Sequence, residues 1–162
     1  MKLTCLVAGL LMCVSVPASA LCIYAGKDNV KTTIEQEFSD SQWVVRAHVE
    51  AADYHWSDAG ESWTVYHLRV VTTFKGLLSK RLSLFTFRDS GGFYLDAAGA
   101  GAGPDFDHDY LLFLSPMTYR KSDPAASRSA VWINYNCGQS KEWSELGRGD
   151  QERLQRLGKS KR

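Results

Sequence analysis

The amino-acid sequence predicts a mainly β domain with one helix before its strands and one helix after them. Three observations support this prediction: segments of alternating apolar and polar residues, turn-forming clusters between those segments, and two stretches with apolar residues at helical spacing. The chain has 162 residues, a net charge of +1 and 12% aromatic residues. This length and composition suit one packed domain rather than a disordered chain.

Five strands are predicted along the chain. Residues 42–50, 62–74 and 81–88 carry apolar side chains at every second position, which is typical of half-buried strands. Residues 110–114 form a continuous apolar run, which indicates a strand buried on both faces. A last strand is predicted over residues 130–135, just before Cys137 and Gly138.

The helices and loops complete the predicted architecture. A short helix is expected over residues 29–38, and a C-terminal helix is expected after Trp143, with interruptions at Gly147 and Gly149. Polar loops are predicted at residues 51–60 and 118–129, and a mobile loop at the Gly/Ala-rich residues 89–104. Five strands with a helix on either side predict a small β-barrel of the OB type.

The first 20 residues have the layout of a cleavable secretory signal peptide. Lys2 precedes an apolar run over residues 3–16, and Ala18-Ser19-Ala20 forms a small-residue cleavage site. An apolar run of about 14 residues is shorter than the roughly 20 that a membrane-spanning helix needs, so no stable membrane anchor is expected. We therefore predict a secreted or periplasmic protein with a single domain at residues 21–157 and a basic tail at residues 158–162.

Cysteine placement and charge limit the functional classes. Cys5 and Cys13 lie in the leader, which leaves Cys22 and Cys137 in an oxidising compartment. A bridge between these two would close a loop of over 100 residues; two free thiols, or pairing with another chain, are the alternatives. Loss of Lys2 with the leader brings the net charge close to zero, which gives no long-range attraction to nucleic acid.

A series of short motifs runs through nearly all of the mature chain. A cysteine follows the leader, and a short helix ends in Phe38 before a tryptophan-led strand at residues 43–49. Next come Phe74-Lys75-Gly76, a glycine-rich link, the strand at residues 110–114, and Cys137-Gly138 leading to Trp143. This order resembles the netrin-module, tissue-inhibitor-of-metalloproteinase-like OB-fold family, particularly its bacterial secreted members. The resemblance implies that the partner of Cys22 lies late in the fold, as Cys137 does.

The chain departs from this family at its inhibitory motif. In the animal inhibitors, a Cys-x-Cys at the mature N-terminus chelates the zinc of the target protease, and a disulfide to the glycine-rich region holds that edge. Here Ala20 occupies the position two before Cys22, and residues 90–94 contain no cysteine. The resemblance therefore implies that the fold is kept and that the chelating chemistry is lost.

The sequence favours a binding function over an enzymatic one. It contains no G-x-S-x-G nucleophile elbow, no phosphate loop and no dinucleotide fingerprint, so we predict neither an enzyme nor a cofactor. The leading hypothesis is a non-enzymatic protein-binding module whose partner is an unidentified protein, with a protease as one candidate. The alternative is a metalloprotease inhibitor that acts without N-terminal cysteine chelation. The predicted partner-binding edge consists of Leu21, Ile23, Tyr24, Trp56, Trp63, Phe93 and Tyr94.

A third hypothesis is a metal-binding envelope protein. Asp105, Asp107 and Asp109 alternate within five residues and could supply oxygen ligands to Ca²⁺, although the glycine and distal glutamate of an EF-hand loop are absent. A solvated turn before the next strand explains the same residues. His48, His55 and Asp53 form a second candidate metal group near one strand end, but no helical spacing brings them together.

Overall fold

Two short strands and a helix precede the main sheet. The computed structural model describes residues 22–58, 61–88, 91–98, 103–116 and 120–160, so the predicted signal peptide lies outside the described residues. Strands β1 (Ile23–Tyr24) and β2 (Lys27–Asp28) form a hairpin, and helix α1 spans Ile34–Asp40. The predicted helix over residues 29–38 begins too early, because Thr33 caps α1 by accepting a hydrogen bond from the Gln36 amide at 3.2 Å.

Five strands close a barrel and confirm the predicted OB-like fold. The strands of the main sheet are β3 (Trp43–His55), β4 (Trp63–Lys75), β5 (Arg81–Phe87), β6 (Asp109–Pro116), β7 (Val131–Ile133) and β8 (Lys141–Glu142). Strands β3 to β5 form an antiparallel meander, and β6 closes the barrel by pairing with β3. Strand β7 lies between β5 and β6, parallel to β5 and antiparallel to β6. The short strand β8 pairs with the N-terminal end of β6.

Alternate side chains of the strands pack into two separate layers, one inside the barrel and one between the barrel and the helices. Val45, on one face of β3, points into the barrel, whereas Val44, on the other face, packs against Phe38 of α1 and Leu154 of the C-terminal helix. The buried residues of the barrel interior are Val45, Ala47, Val49, Tyr66, Leu68, Leu84, Leu95, Tyr110, Leu112, Leu114, Val131 and Ile133.

The C-terminal helix begins later than its apolar pattern predicted. A 3₁₀ turn at Trp143–Glu145 precedes α2 (Arg148–Lys159), and Gly147 is the N-cap residue of α2. Gly147 therefore separates the turn from the helix, whereas Gly149 lies inside the helix and does not interrupt it. The helix continues into Lys159, within the segment predicted to be a basic tail.

Strand β3 is longer than its sequence pattern predicted. Residues 51–55, predicted as a loop, pair with β4 up to His55, which lies opposite Trp63. Their side chains alternate only between half-buried and exposed, as Ala52 and Asp53 do. This end of the β3–β4 ribbon therefore contributes few buried side chains, although Ala52 packs against the barrel core and the main-chain ladder continues to His55.

The glycine- and alanine-rich connection between β5 and β6 contains an ordered hairpin. The Ala97 amide donates to the Gly103 carbonyl at 3.1 Å, and the Asp105 amide donates to the Leu95 carbonyl at 2.9 Å. Leu95 is 0% exposed and belongs to the barrel core. We call residues 95–98 and 103–105 the plug hairpin, since they insert into the end of the barrel where β4 and β6 begin. The predicted mobile loop is thus wrong for these residues, while residues 89–90 and 99–102 lie outside the described part.

A disulfide joins Cys22 to Cys137, as the resemblance implied, with 6.0 Å between their Cα atoms. Next to it, the rings of Tyr24 and Tyr135 pack with centroids 4.8 Å apart, and the Tyr135 hydroxyl donates to the Val30 carbonyl at 3.1 Å. The disulfide and these contacts fasten the β1–β2 hairpin to the segment that follows β7.

A buried carboxyl group fastens α1 to the same segment. Glu37 is 0% exposed, and its Oε1 accepts hydrogen bonds from the Gln139 amide at 2.8 Å and from the Thr32 hydroxyl. Its Oε2 has no hydrogen-bond partner. Burial raises the pKa of Glu37 above its usual value, although the bonds from Thr32 and Gln139 oppose the shift. Gly138 permits this close approach, because a Cβ there would collide with the Glu37 carboxyl.

We expect Glu37→Gln to change how stability depends on pH. Because the folded protein holds the Glu37 proton more tightly than the unfolded chain, wild type loses stability as the pH rises from about 4.5 through the folded pKa. The glutamine variant lacks this loss. Urea unfolding between pH 4 and pH 8 should therefore give similar free energies of unfolding for the two proteins at pH 4. Above pH 4 the variant should become progressively more stable than wild type. A wild type that gains stability relative to the variant over this range would contradict the assignment.

Candidate functional site

A partly buried ion pair lies at the plugged end of the barrel. Arg88, which directly follows β5, places its Nη2 atom 2.6 Å from Oδ2 of Asp96 in the plug hairpin, and both side chains are less than one-fifth exposed. The Arg88 Nη1 atom also donates to the Thr64 hydroxyl at 2.9 Å. A charged donor with charged and neutral acceptors at these distances is well satisfied despite its burial.

Three aromatic rings surround the Arg88 guanidinium. Its Cζ atom lies 5.2 Å from the ring centroid of Tyr54, 4.8 Å from that of Trp56 and 4.6 Å from that of Tyr94. All three distances are within the range of cation–π attraction. We call this group, together with Asp96, the Arg88 cage.

Hydrogen bonds from two tyrosines fix Asp96. Oδ1 of Asp96 accepts from the Tyr54 hydroxyl at 2.9 Å and from the Tyr66 hydroxyl at 2.5 Å. Burial, followed by the bond to Asp96, raises the pKa of Tyr54 to about 12 and that of Tyr66 further still. Burial lowers the pKa of Arg88, but the neighbouring Asp96 raises it more, so the net shift is upward. At neutral pH the Arg88 guanidinium is therefore charged, and the phenols of Tyr54 and Tyr66 are neutral.

Trp56 is the solvent-facing member of the cage. Its side chain is 67% exposed, and its ring lies parallel to that of Tyr54, with centroids 6.4 Å apart and planes at 6°. Tyr54 lies at the end of β3 and Trp56 directly follows the strand, and a spacing of two residues in extended backbone places both side chains on the same face. Tyr54 and Arg88 therefore hold an indole in place while leaving much of its surface to solvent.

A second polar group lies where the plug hairpin runs into β6. The buried Asp105 carboxylate accepts hydrogen bonds from the Tyr110 hydroxyl at 2.6 Å, from Nδ1 of His108 at 2.9 Å and from the Asp107 amide at 3.1 Å. Glu142 of β8 lies on the other side of the imidazole, with its Oε1 atom 3.8 Å from Nε2 of His108. We call Asp105, His108, Tyr110 and Glu142 the His108 cluster.

The electrostatics of the His108 cluster favour an ionised Asp105. Burial raises the pKa of this carboxyl, but the bonds from Tyr110 and His108 outweigh burial and hold the pKa below its usual range. The hydrogen bond to Asp105 raises the pKa of His108 above its ordinary value. Burial and the same carboxylate raise the pKa of Tyr110, which therefore remains a hydrogen-bond donor.

The structure divides the predicted partner-binding edge into separate places. Trp56 and Tyr94 meet at the Arg88 cage, whereas Trp63 stacks between His55 and Phe85 at 4.8 and 5.7 Å. Phe93 packs against the barrel core. Ile23 is 61% exposed beside the disulfide, whereas Tyr24 is only 9% exposed and donates its hydroxyl to Asp40, so its ring serves internal packing. Leu21 lies outside the described residues.

The aspartates predicted as calcium ligands belong to different groups. Asp105 belongs to the His108 cluster, whereas Asp109 accepts from Arg46 Nε at 2.7 Å and contacts His48 Nδ1 at 2.9 Å. Asp107 is exposed and contributes its backbone amide to Asp105. Alternate residues of an extended segment share a face only while it stays regular, and the turn before β6 separates these carboxylates.

The other predicted metal group is also dispersed. His48 contacts Asp109, Asp53 pairs with His67 at 2.8 Å, and His55 stacks on Trp63. Sequence reasoning missed Arg88, Asp96 and Glu142. Their partners lie on other elements of the fold, and no local motif marks them.

The fold and these groups define the chain as a disulfide-bridged, OB-like β-barrel with two helices and a hairpin that plugs one end. No protein-family model and no curated protein matches the sequence. The resemblance to the netrin-like family therefore stays a prediction. Among the described residues, no helix has the length and apolar character needed to span a bilayer.

Proposed function

We propose that this chain is a secreted or periplasmic, non-enzymatic protein-binding module of netrin-like OB fold. In this proposal it binds a protein partner through the Trp56 face, which consists of Tyr54, Trp56, Arg88 and Tyr94. The observation that carries the proposal is the held but largely exposed indole of Trp56. Tryptophan, tyrosine and arginine are the residues most enriched at the energetic centres of protein interfaces.

The side chains of the Trp56 face are held in place before any partner binds. Binding a partner costs free energy for every side chain that must be immobilised, at about 0.5 to 1.5 kcal/mol each. On the Trp56 face this cost is reduced before binding, because the Arg88–Asp96 pair and the two tyrosine hydroxyl bonds to Asp96 already fix the cage. By contrast, Leu77 in the β4–β5 turn is 97% exposed.

The disulfide supports the proposed location outside the cytoplasm. Bridges of this kind persist in oxidising compartments and are rare in the reducing cytosol. The leader predicted at residues 1–20 would deliver the chain to such a compartment.

The backbone groups of Cys22 are not free to chelate a zinc ion. The Cys22 amide donates to Oδ1 of Asn29 at 3.3 Å, and the Asn29 amide donates to the Cys22 carbonyl at 2.7 Å. We place partner binding at the Trp56 face, and a zinc protease remains one class of partner that the experiment can reveal.

Site-specific photo-cross-linking tests this proposal. A photoreactive phenylalanine at position 56 should cross-link one defined extracytoplasmic protein in cells that produce the chain, whereas the same residue at position 77 should not. With that partner purified, Trp56→Ser should weaken binding roughly 30-fold, the effect of losing about 2 kcal/mol at an interface centre. Leu77→Ser should leave the affinity unchanged. Identical cross-links from both positions, or full affinity in Trp56→Ser, would refute the proposed face.

A further inference from the structure

We propose that the His108 cluster is a binding site for a divalent transition-metal ion of the Zn²⁺ type, with Nε2 of His108 and Oε1 of Glu142 as its protein ligands. The site is independent of the Trp56 face. It also differs from the calcium ligands predicted from sequence, since of those aspartates only Asp105 takes part, and Asp105 acts as a positioning residue.

Asp105 fixes the orientation of His108. Nδ1 of this imidazole lies 2.9 Å from Oδ2 of the buried Asp105, so in the neutral ring the proton sits on Nδ1 and the lone pair on Nε2. An imidazole that donates one N–H to a carboxylate and offers its other nitrogen outward is the usual arrangement around protein-bound zinc. The carboxylate fixes the ring and makes the free nitrogen more basic.

Asp105 is itself held in place. It accepts the Tyr110 hydroxyl bond from β6 and the Asp107 amide bond, at 2.6 and 3.1 Å. Its side chain is 7% exposed, whereas that of His108 is 51% exposed. The orienting group is thus buried and rigid, while the proposed ligand remains open to ions from solution.

The second ligand lies at a suitable distance. Oε1 of Glu142 is 3.8 Å from Nε2 of His108, which is too far for a hydrogen bond. Two ligands of one tetrahedral zinc ion, with bonds of about 2.1 Å, lie about 3.4 Å apart. A shift of a few tenths of an ångström would place both atoms on one ion. The Ser144 hydroxyl donates to the same Glu142 oxygen and so helps to orient it.

Donor chemistry selects the class of ion. One imidazole nitrogen and one carboxylate oxygen suit zinc and similar first-row ions, whereas calcium requires six to eight oxygen ligands. Water can fill the remaining positions because the imidazole is half exposed. A bound ion would connect the residues that follow the plug hairpin to β8.

The chain provides a matched control histidine. His67 also pairs with a carboxylate, since its Nε2 lies 2.8 Å from Asp53 Oδ2, but its Nδ1 is 3.3 Å from the Ser83 hydroxyl. Both ring nitrogens of His67 are therefore engaged, and no nitrogen is left for an ion. It is exposed to a similar degree as His108.

Calorimetric titration of the metal-stripped, untagged protein with Zn²⁺ and with Ca²⁺ at pH 7 tests the site. Wild type should bind one Zn²⁺ saturably and give no saturable heat with Ca²⁺. His108→Asn and Glu142→Gln should each weaken zinc binding at least tenfold, and His67→Asn should leave it unchanged. Zinc should shift the NMR signals of the His108 imidazole and not those of His67. No saturable zinc binding, preferential calcium binding, or zinc binding unchanged in either ligand variant would overturn the proposal.

Discussion

Replacing both Cys22 and Cys137 by serine is expected to lower the free energy of unfolding by about 4 to 5 kcal/mol. The bridge spans a sequence separation of 115 residues, and closing a loop of that length restricts the unfolded chain by about this amount in the chain-entropy treatment. This is a large share of the roughly 5 to 15 kcal/mol by which a domain of this size is stable. Urea unfolding of the oxidised wild type and of the double variant measures the difference.

Contacts around the bridge indicate whether the loss of stability should arise from the folded state or from the unfolded state. The Glu37 carboxyl bonds the Gln139 amide, and the Gln139 side chain donates to the Thr32 carbonyl at 2.7 Å. Tyr135 also remains bonded to the Val30 carbonyl. These bonds should keep the native arrangement in the serine variant, so the effect should arise mainly from a less restricted unfolded state.

Reduced wild type is the matched control for the cysteine experiment. Its unfolding midpoint in dithiothreitol should agree with that of the double serine variant, because both lack the same cross-link. The native fold of each should give a similar near-ultraviolet circular dichroism spectrum. An oxidised wild type no more stable than either form would mean that the bridge contributes nothing to stability.

Residue periodicity was enough to predict the barrel. The alternation that begins at Trp43 and the apolar run that begins at Tyr110 correspond to strands that are packed on one or both faces. The secondary-structure prediction was wrong where the burial of side chains does not follow the periodicity of the sequence. Residues 51–55 form strand without a buried face, and Leu95 enters the core from a Gly/Ala-rich segment whose composition predicts a loop. A single apolar residue there carries no periodic signal.

The candidate sites were less accessible to sequence reasoning than the fold. Trp56 and Tyr94 were predicted as binding residues. Arg88, which contacts both rings, pairs with Asp96 only because the end of β5 and the plug hairpin meet at the barrel end. The alternation of three aspartates within five residues suggested a shared calcium ion. In the folded chain Asp109 instead pairs with Arg46, a residue 63 positions away in the sequence. Charge pairs of this kind follow from topology and leave no local pattern.

Leu95→Ala is expected to lower the free energy of unfolding by about 2 to 5 kcal/mol. The Leu95 side chain is completely buried among the barrel residues, and truncation of such a leucine loses both its transfer free energy and the packing around the cavity left behind. Leu77→Ala is the matched control, because Leu77 is 97% exposed and its truncation should change stability by less than about 0.5 kcal/mol. Urea unfolding of both variants measures the contrast.

The Leu95 experiment also separates a structural plug from an ordinary surface loop. If the hairpin belongs to the core, its Ala97 and Asp105 amides, which are bonded across the hairpin, should resist hydrogen exchange in wild type and exchange faster in Leu95→Ala. Asp96 should then hold Arg88 less firmly, since it lies next to Leu95 in the same hairpin. The NMR signal of the Trp56 indole N–H would report that loosening. A Leu95→Ala variant as stable as Leu77→Ala, with unchanged exchange, would show that the hairpin does not contribute to the barrel core.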